Sequence, residues 1–350
     1  MILIENNSPC CGGQCSLDPT FNLALEEFLH LHRQPPVDAF MLWQNEPTIV
    51  IGRNQNTVDE INRNYVEAAS IHVVRRNSGG GAVYHDLGNL NFSFLVDDCE
   101  SGYHFDRFTQ PVICTLQQLG IRAENSGRND IAIAGRKISG NAQYRCHRRL
   151  LHHGTILFDT NLENLAKALK YAPDRIVGRS TDNVSRAVAS ICSRVTNVCE
   201  HLPVQITISE FRDLLVKNVT AAYDLKPDAL DSDELEAVCK LRDEKYRSRD
   251  WNYCWPECRR GHSPSFWTHT CMRKFPWGKL DVRLEVREGI IAYCVFYGDF
   301  FSSSDPQTLA SRFIGLTFNR RKLETELPEN DVRRIFPDLE KKQLLDMFFH

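Results

Sequence analysis

The sequence predicts an α+β protein with one large and one small domain. The chain has 350 residues, which is enough for two domains. Strand-like and helix-like segments are mixed along most of it without the regular βαβ alternation of a doubly wound sheet. The composition changes over residues 247–265, which are rich in Trp, Arg, Pro and Cys. We therefore predict a large domain over residues 1–248, a hinge over residues 249–261 and a small α+β domain over residues 262–350.

Capping and turn residues mark the elements of the large domain. Asp18 followed by Pro19 is typical of a helix start, and Thr57 with Glu60 predicts a capping box. Alternation around Ala134-Gly135 predicts a tight hairpin, and the strands flanking residues 44–47 are expected to form another. Helices are predicted over residues 20–32, 57–70, 105–119, 162–171, 209–223 and 231–246, and strands over 39–43, 48–52, 71–74, 90–96 and 150–158.

The small domain has a pattern of its own. Two apolar runs, residues 279–286 and 290–296, are separated by Glu288-Gly289, which predicts a second tight hairpin. Helices are expected near residues 305–312, 320–326 and 339–348.

Charge and hydropathy argue against two classes of partner. The net charge of −3 and the sequence pI of about 6.5 do not favour bulk binding to nucleic acid or to an anionic membrane. No apolar run approaches the roughly 20 residues that span a bilayer. The first seven residues lack the features of a secretory signal or a transit peptide. We expect a cytoplasmic protein without nucleic-acid or membrane partners.

The thirteen cysteines are scattered and odd in number, which predicts free thiols in a reducing compartment. Two clusters stand out, one at residues 10–15 and one formed by Cys254, Cys258 and Cys271, with His262 and His269 nearby. The second cluster leaves a zinc site open, but its spacing fits no standard zinc pattern. The favoured interpretation is that these cysteines are small core residues.

A glycine-rich segment, residues 75–86, suggests an anion-binding site. Arg75 and Arg76 close an apolar run, and Gly79, Gly80 and Gly81 follow. Glycines bring no side chain, so three in a row suit a sharp turn or a close approach to the backbone. Bare amides beside positive charge favour a phosphate. The alternative is a flexible surface loop, and the segment matches neither a Walker A loop nor a Rossmann fingerprint.

Three further side chains are candidates for the site. Lys137 lies between two glycines on the predicted hairpin. It would stabilise negative charge that develops on a substrate oxygen. The alternative is that it is an ordinary exposed lysine. Asp130 would hold Mg²⁺, position Lys137, or act only as a turn residue. His153 would line a pocket, although a histidine within a strand is more often part of the core.

Taken together, these segments resemble lipoate–protein ligase A. The residues from Arg75 to Asp86 keep the family pattern Arg-Arg-x-Ser-Gly-Gly-Gly-Ala-Val-aromatic-His-Asp. The resemblance covers nearly the whole chain, including the small C-terminal domain. The other matching segments are residues 21–27, 42–47, 51–56, 126–130, 135–142, 152–155, 194–197, 251–253, 275–278 and 297–300.

The resemblance implies a catalytic domain of the biotin/lipoate ligase type that uses ATP, Mg²⁺ and (R)-lipoate. In that family, ATP and the lipoate carboxylate form lipoyl-adenylate and pyrophosphate, and a lysine of a lipoyl domain then takes the acyl group. The implied acceptors are lipoyl domains of 2-oxoacid dehydrogenase acyltransferase subunits and the glycine cleavage H protein. The resemblance puts the essential lysine at Lys137, and the implied ATP contacts are Arg76, Gly81, Ala82, Val83 and Tyr84.

Two other hypotheses stay open at this point. Sister families with the same fold transfer lipoyl or octanoyl groups without ATP, through a cysteine thiolate. Cys146, between Arg145 and His147, is the candidate for such a mechanism. The second hypothesis is a silent regulatory protein that binds lipoyl-adenylate and transfers nothing, although no basic face or DNA-binding helix pair supports it.

Overall fold

A computed structural model describes residues 1–6, 16–98, 102–170, 193–255, 267–302 and 304–349. Within them, the strands are β1 Ile2–Ile4, β2 Ala39–Trp43, β3 Thr48–Ile51, β4 His72–Arg75, β5 Val83–His85, β6 Asn89–Asp97, β7 Ala123–Ser126, β8 Asp130–Ile133, β9 Arg136–Cys146, β10 Arg149–Leu157, β11 Lys226–Asp228, β12 His269–Phe275, β13 Gly278–Arg287 and β14 Ile290–Gly298. The α-helices are α1 Pro19–Glu27, α2 Thr57–Glu60, α3 Arg63–Ala68, α4 Phe105–Gln118, α5 Leu162–Ala168, α6 Ile208–Tyr223, α7 Ser232–Leu241, α8 Pro306–Phe313, α9 Arg320–Glu326, α10 Glu329–Ile335 and α11 Lys341–Phe348.

The chain divides into two compact units, and both are α+β. Unit 1 consists of Met1–Val50, Glu60–Arg76 and Val83–Ser248, and unit 2 consists of Ile51–Asp59, Asn77–Ala82 and Arg249–His350. The predicted domain boundaries stay a prediction, because residues 256–266 lie outside the described residues. In the described ranges, no helix combines the length and the apolar character that crossing a membrane takes.

A mixed sheet forms the centre of unit 1. Its strand order is β11-β1-β2-β6-β10-β9-β8-β7, and β4-β3-β5 forms a separate small sheet. Helices α4 and α6 contribute to the main core, where Phe94 packs on Phe108 with ring centroids 5.3 Å apart and Phe158 packs on Phe211 at the same distance. Burying a Phe side chain contributes up to about 3 kcal/mol.

The structure confirms the predicted start of α1. The Asp18 carboxylate accepts a hydrogen bond from Thr20 N at 2.8 Å, and Pro19 opens α1 as predicted. The chain then continues as a π-helical turn, Phe28–His32, so the helical segment ends where the sequence indicated.

Two of the secondary-structure predictions are wrong. Strands β2 and β3 do not form a hairpin: β2 pairs with β1 and β6, whereas β3 pairs with β5. The helix predicted over residues 57–70 is two short helices. It breaks because Ile61 makes an antiparallel bridge with Leu169 and Asn62 N donates to Ala168 O at 2.8 Å.

Unit 2 is built on an antiparallel sheet of order β12-β13-β14. The predicted turn between β13 and β14 is present, with φ of +50° at Glu288 and +74° at Gly289. Helices α8, α9, α10 and α11 contribute to its core, together with Phe296 and Phe300, which are fully buried. Strand β12 and helix α10 were not predicted from the sequence.

Candidate active site

Strands β8 and β9 present Lys137 on a tight hairpin. The two turn residues, Ala134 and Gly135, have φ of +49° and +76°, and two positive φ angles are what a type I′ turn requires. This turn confirms the predicted hairpin.

The register of this hairpin decides which residues share a face with Lys137. Lys137 lies opposite Ala132, which is two residues from Asp130, and a shift between Ile131 and Ala132 puts Gly140 opposite Asp130. Directly opposite residues share a face of a sheet, and so do residues two apart on one strand. Lys137 therefore shares the face of Asp130, and the one-residue shift puts Gly140 instead of Ser139 opposite that aspartate.

The ion pair is the result of that register. Lys137 Nζ lies 2.8 Å from Asp130 Oδ1, with both side chains about one-third exposed. Gly140 leaves the space for the lysine, because a Cβ at that position would lie 2.6 Å from Nζ. Asp130 therefore positions the ammonium, which was one of the roles left open for it.

A segment distant in sequence fixes the backbone of Lys137. Lys137 N donates to Arg194 O at 2.8 Å, and Thr196 N donates to Lys137 O at 3.0 Å. Both main-chain groups of the lysine residue are therefore bonded, which gives its side chain a rigid base.

A buried polar network lies on another part of unit 1. Glu26 accepts from Ser93 Oγ at 2.7 Å, and Ser93 Oγ accepts from Trp43 Nε1 at 2.9 Å. His153 Nδ1 lies 2.9 Å from Glu26 Oε1. Because a carboxylate only accepts, this contact makes Nδ1 the protonated nitrogen. His153 is thus held in a polar cluster within the protein, and sequence reasoning had not identified Glu26 as its partner.

Arg76 is buried in unit 1 and keeps a charge there. Its Nη1 donates to Val50 O at 3.2 Å. Burial lowers the pKa of Arg76 to about 10, and the nearby Glu26 carboxylate opposes that shift. The guanidinium is therefore cationic at neutral pH, as the prediction of an anion contact at Arg76 requires.

The triple glycine belongs to unit 2, where close backbone packing explains Gly79 and a positive φ explains Gly80. A Cβ on Gly79 would lie 2.3 Å from Phe300 O, and one on Gly52 would lie 2.0 Å from Gly80 O. Gly80 also has a φ of +88°. Gly79 and Gly80 are buried, whereas Gly81 is exposed with nothing within 4 Å of its added Cβ. The alternative of a loose surface loop therefore fails for Gly79 and Gly80.

The remaining candidates follow this loop. Ala82 is half-buried in unit 2, and Val83 and Tyr84 open strand β5 of unit 1. Val83 pairs with Val50, and Tyr84 is buried, which raises the pKa of its hydroxyl to about 12. Tyr84 is therefore neutral at any working pH.

Comparison with known proteins identifies the family. Residues 18–220 match the lipoyl protein ligase A/B catalytic domain, and residues 263–348 match the bacterial lipoate protein ligase C-terminus. The chain belongs to the lipoyl protein ligase A/B family.

Relatives of this ligase family match over nearly the full length. The chain is 41% identical to lipoate-protein ligase LplJ of Bacillus subtilis, covering 95% of this chain and 97% of the relative. It is 36% identical to lipoate–protein ligase 1 of Staphylococcus aureus, covering 94% and 96%.

Solved structures of the ligase family share the fold. P. falciparum LipL1 in complex with lipoate matches with a TM-score of 0.74 at 26% identity, covering 99% of this chain and 97% of that chain. A lipoate-protein ligase A bound with ATP matches with a TM-score of 0.58 at 27% identity, covering 67% and 94%. The predicted large mixed-sheet ligase fold is thereby confirmed.

The described cysteines of this ligase-family chain are free thiols. In the part of the chain that the structure describes, no group of three or more His, Cys, Asp or Glu side chains is placed to hold a metal ion. The zinc hypothesis lies partly outside these residues, since Cys258 and His262 are not described, and neither are residues 10–15.

Sequence reasoning missed several buried polar side chains of unit 1. Glu26 follows the apolar run Leu23-Ala24-Leu25, and an acid on an apolar helix face is itself a signal of a buried partner. Asn22 and Asn45 are buried as well. Their role depends on contacts between distant segments, which the sequence does not display.

Proposed function

We propose that this protein is an ATP-dependent lipoate–protein ligase. The relatives that match over nearly their whole length are named lipoate ligases. Solved structures with the same fold contain lipoate or ATP. The observation that carries the proposal is the Lys137 ammonium, held 2.8 Å from Asp130 at the position where the family resemblance puts the essential lysine.

In the first half-reaction, a lipoate carboxylate oxygen attacks the α-phosphorus of ATP. The new P–O bond forms while the bond to pyrophosphate breaks, which yields lipoyl-adenylate. Two unit charges about 4 Å apart repel by about 4 kcal/mol at an effective dielectric constant of about 20. The cations of Lys137 and Arg76 would offset this repulsion and stabilise the charge of the transition state.

In the second half-reaction, the ε-amine of an acceptor lysine attacks the acyl carbonyl. The amide C–N bond forms, the bond to AMP breaks, and the amine loses a proton. Lys137 would stabilise the negative charge that develops on the carbonyl oxygen. The proposed acceptors are lipoyl domains of 2-oxoacid dehydrogenase acyltransferase subunits and the glycine cleavage H protein, and one fold neighbour was solved with its E2 lipoyl domain.

Mg²⁺ would enter with ATP as part of the nucleotide substrate. Asp130 offers a carboxylate beside Lys137, which fits a Mg²⁺ held mainly by phosphate oxygens and water. The ion would neutralise phosphate charge, and Asp130 would orient it while continuing to position the lysine.

Lipoate-dependent exchange of pyrophosphate into ATP tests this proposal directly. Exchange should appear with ATP, Mg²⁺ and lipoate before any acceptor is added. An absence of exchange under these conditions would refute adenylate formation. Tight adenylate binding without transfer to a lipoyl domain would instead favour the regulatory hypothesis.

We expect Gly140→Ala to slow adenylate formation by about 10- to 100-fold, because a Cβ would lie 2.6 Å from Lys137 Nζ and displace the ammonium. Only the tip of a flexible side chain must move, so the thermal unfolding midpoint should stay close to that of the wild type. Exchange kinetics and thermal unfolding of the same sample check both statements. An unchanged exchange rate would show that the lysine position tolerates the shift.

The cysteine mechanism makes a different prediction. Lys137 and Cys146 lie nine residues apart on one strand, which corresponds to roughly 30 Å. One acyl group cannot be held by both, so we expect Cys146→Ser to keep more than half of the exchange and transfer rates. A wild type that transfers the acyl group without ATP and shows no exchange, together with loss of that transfer in Cys146→Ser, would support the ATP-independent acyltransferase.

A further inference from the structure

A chain of asparagine side chains ends on His85 in unit 1. Asn22 Nδ2 donates to the main-chain oxygen of Gln44 at 2.9 Å, and this contact fixes which end of the Asn22 amide carries nitrogen. The same Nδ2 donates to Asn45 Oδ1 at 2.9 Å. Asn45 Nδ2 therefore faces His85 Nδ1, at 3.1 Å.

The side-chain amide of Asn91 also directs a donor at His85 Nδ1. Asn91 Oδ1 accepts from Asn89 Nδ2 at 2.9 Å, which leaves Asn91 Nδ2 facing His85 Nδ1 at 3.5 Å. Two amide donors meet His85 Nδ1, so this nitrogen is an acceptor. In a neutral imidazole the other nitrogen, Nε2, then carries the hydrogen.

The imidazole of His85 stays neutral. Only 2% of the residue is exposed. Burial lowers the pKa of His85 to about 3, and the nearby Arg76 and His153 reinforce the shift. The ring is therefore a fixed neutral tautomer throughout the neutral pH range.

The Nε2–H group is a buried donor whose bond is not made within the described ranges of the chain. Leaving a buried donor unsatisfied costs about 1–3 kcal/mol, so such a group calls for an explanation. The side chain shares a face of β5 with Val83, lies 5.9 Å from the Trp43 ring, and is electrostatically coupled to Arg76.

We propose that the Nε2–H of His85 is a preset hydrogen-bond donor for an anionic oxygen of the bound substrates, either the carboxylate of the acid or a phosphate of the nucleotide. The identity of these substrates rests on the proposed function. A neutral donor orients an attacking carboxylate without the charge that would make the carboxylate a weaker nucleophile. Arg76, whose electrostatic effect reaches His85, provides positive charge in the same part of unit 1.

Two substitutions of His85 distinguish the acceptor role of Nδ1 from the donor role of Nε2. In His85→Asn, Oδ1 replaces the Nδ1 acceptor and no donor remains at the position of Nε2. In His85→Gln, the amide nitrogen reaches the position of Nε2 and restores a donor. Calorimetry of the full-length chain with lipoate alone and with the non-hydrolysable Mg²⁺–ATP analogue AMPCPP alone measures each substrate separately. Pyrophosphate exchange then gives KM and kcat for both.

We expect His85→Asn to weaken binding of one of the two substrates by about 10- to 100-fold, and His85→Gln to recover most of that loss. Weaker binding of lipoate would identify the carboxylate oxygen as the acceptor, and weaker binding of the nucleotide analogue would identify a phosphate oxygen. Unchanged binding and exchange in His85→Asn would overturn the proposal. So would a His85→Gln variant as impaired as His85→Asn, since that result indicates a purely structural role.

The pH profile of exchange tests the neutral state of the His85 ring. A neutral donor does not titrate between pH 6 and pH 8 when its pKa is about 3, so the exchange profile of His85→Gln should keep the shape of the wild-type profile. Loss of an ionisation step in this range would contradict the neutral tautomer. The binding measurements need no turnover, so a wild type that binds lipoate but forms no adenylate would refute the proposed function and leave His85 testable.

Discussion

Lys137→Ala should reduce lipoate-dependent pyrophosphate exchange by on the order of 10³-fold, or about 4 kcal/mol of transition-state stabilisation. The ammonium of Lys137 is held by Asp130 at 2.8 Å, and its backbone is bonded to Arg194 and Thr196. The charge is therefore in position before the reaction begins, and a substitution by Ala removes it completely. Pre-steady-state release of pyrophosphate measures this loss on the chemical step itself.

The fold should survive this change. The Lys137–Asp130 pair is about one-third exposed, and ion pairs of this kind contribute about 0–1 kcal/mol to stability. Lys226→Ala is the matched control, because Lys226 lies on β11 of the same sheet with its side chain 76% exposed. It should leave exchange and unfolding unchanged. A near-normal exchange rate in folded Lys137→Ala would remove the lysine from the mechanism.

Local residue chemistry was enough to predict the positions of several elements. Asp18-Pro19 marks the start of α1 because a carboxylate cap and a fixed φ each satisfy a need of the first turn. Gly135 marks the turn beside Lys137 because glycine adopts the positive φ that this turn needs without a steric cost. These signals depend on a few neighbouring residues, so the sequence displays them completely.

Long-range pairing was not predictable in the same way. Strand β3 is apolar and follows β2 closely, which is also what a hairpin would look like, yet it pairs with β5. The shift that brings Gly140 opposite Asp130, and so leaves space for the Lys137 side chain, depends on one extra residue in β9. The sequence identified Lys137 and Asp130 as candidates, but their contact follows from this register, which a single sequence does not specify.

A buried histidine shows why unit 1 should be sensitive to acid. His152 is fully buried among aromatic rings, with the ring centroid of Phe108 at 4.8 Å and that of Phe92 at 5.8 Å. Gln143 Nε2 lies 2.9 Å from its Nδ1. Burial lowers the pKa of His152 well below its ordinary value, and His153 reinforces the shift. A charged ring in this position would lose its hydration without gaining a counter-ion.

Two other histidines share this property, which makes the effect large. Burial lowers the pKa of His30 to about 4 and that of His85 to about 3. Each has an unfolded pKa of about 6.5, so the unfolded chain takes up their protons first as the pH falls. Their contribution to stability is complete above pH 6.5 and is lost below it. At about pH 4.5, His30 and His85 together cost about 5 kcal/mol, which is near the lower end of the total stability of a domain, and His152 acts in the same direction.

We therefore expect the protein to unfold between about pH 6 and pH 4, with an uptake of about three protons. The free energy of unfolding, measured by urea titration at half-unit pH intervals, gives this number as a slope. His152→Gln should lower the slope by about one proton whatever it does to stability at pH 8. His147→Asn is the control, because His147 is exposed on the β9–β10 turn with a φ of +54°, a conformation that Asn tolerates. A slope that His152→Gln leaves unchanged would mean that this ring is already protonated in the folded protein.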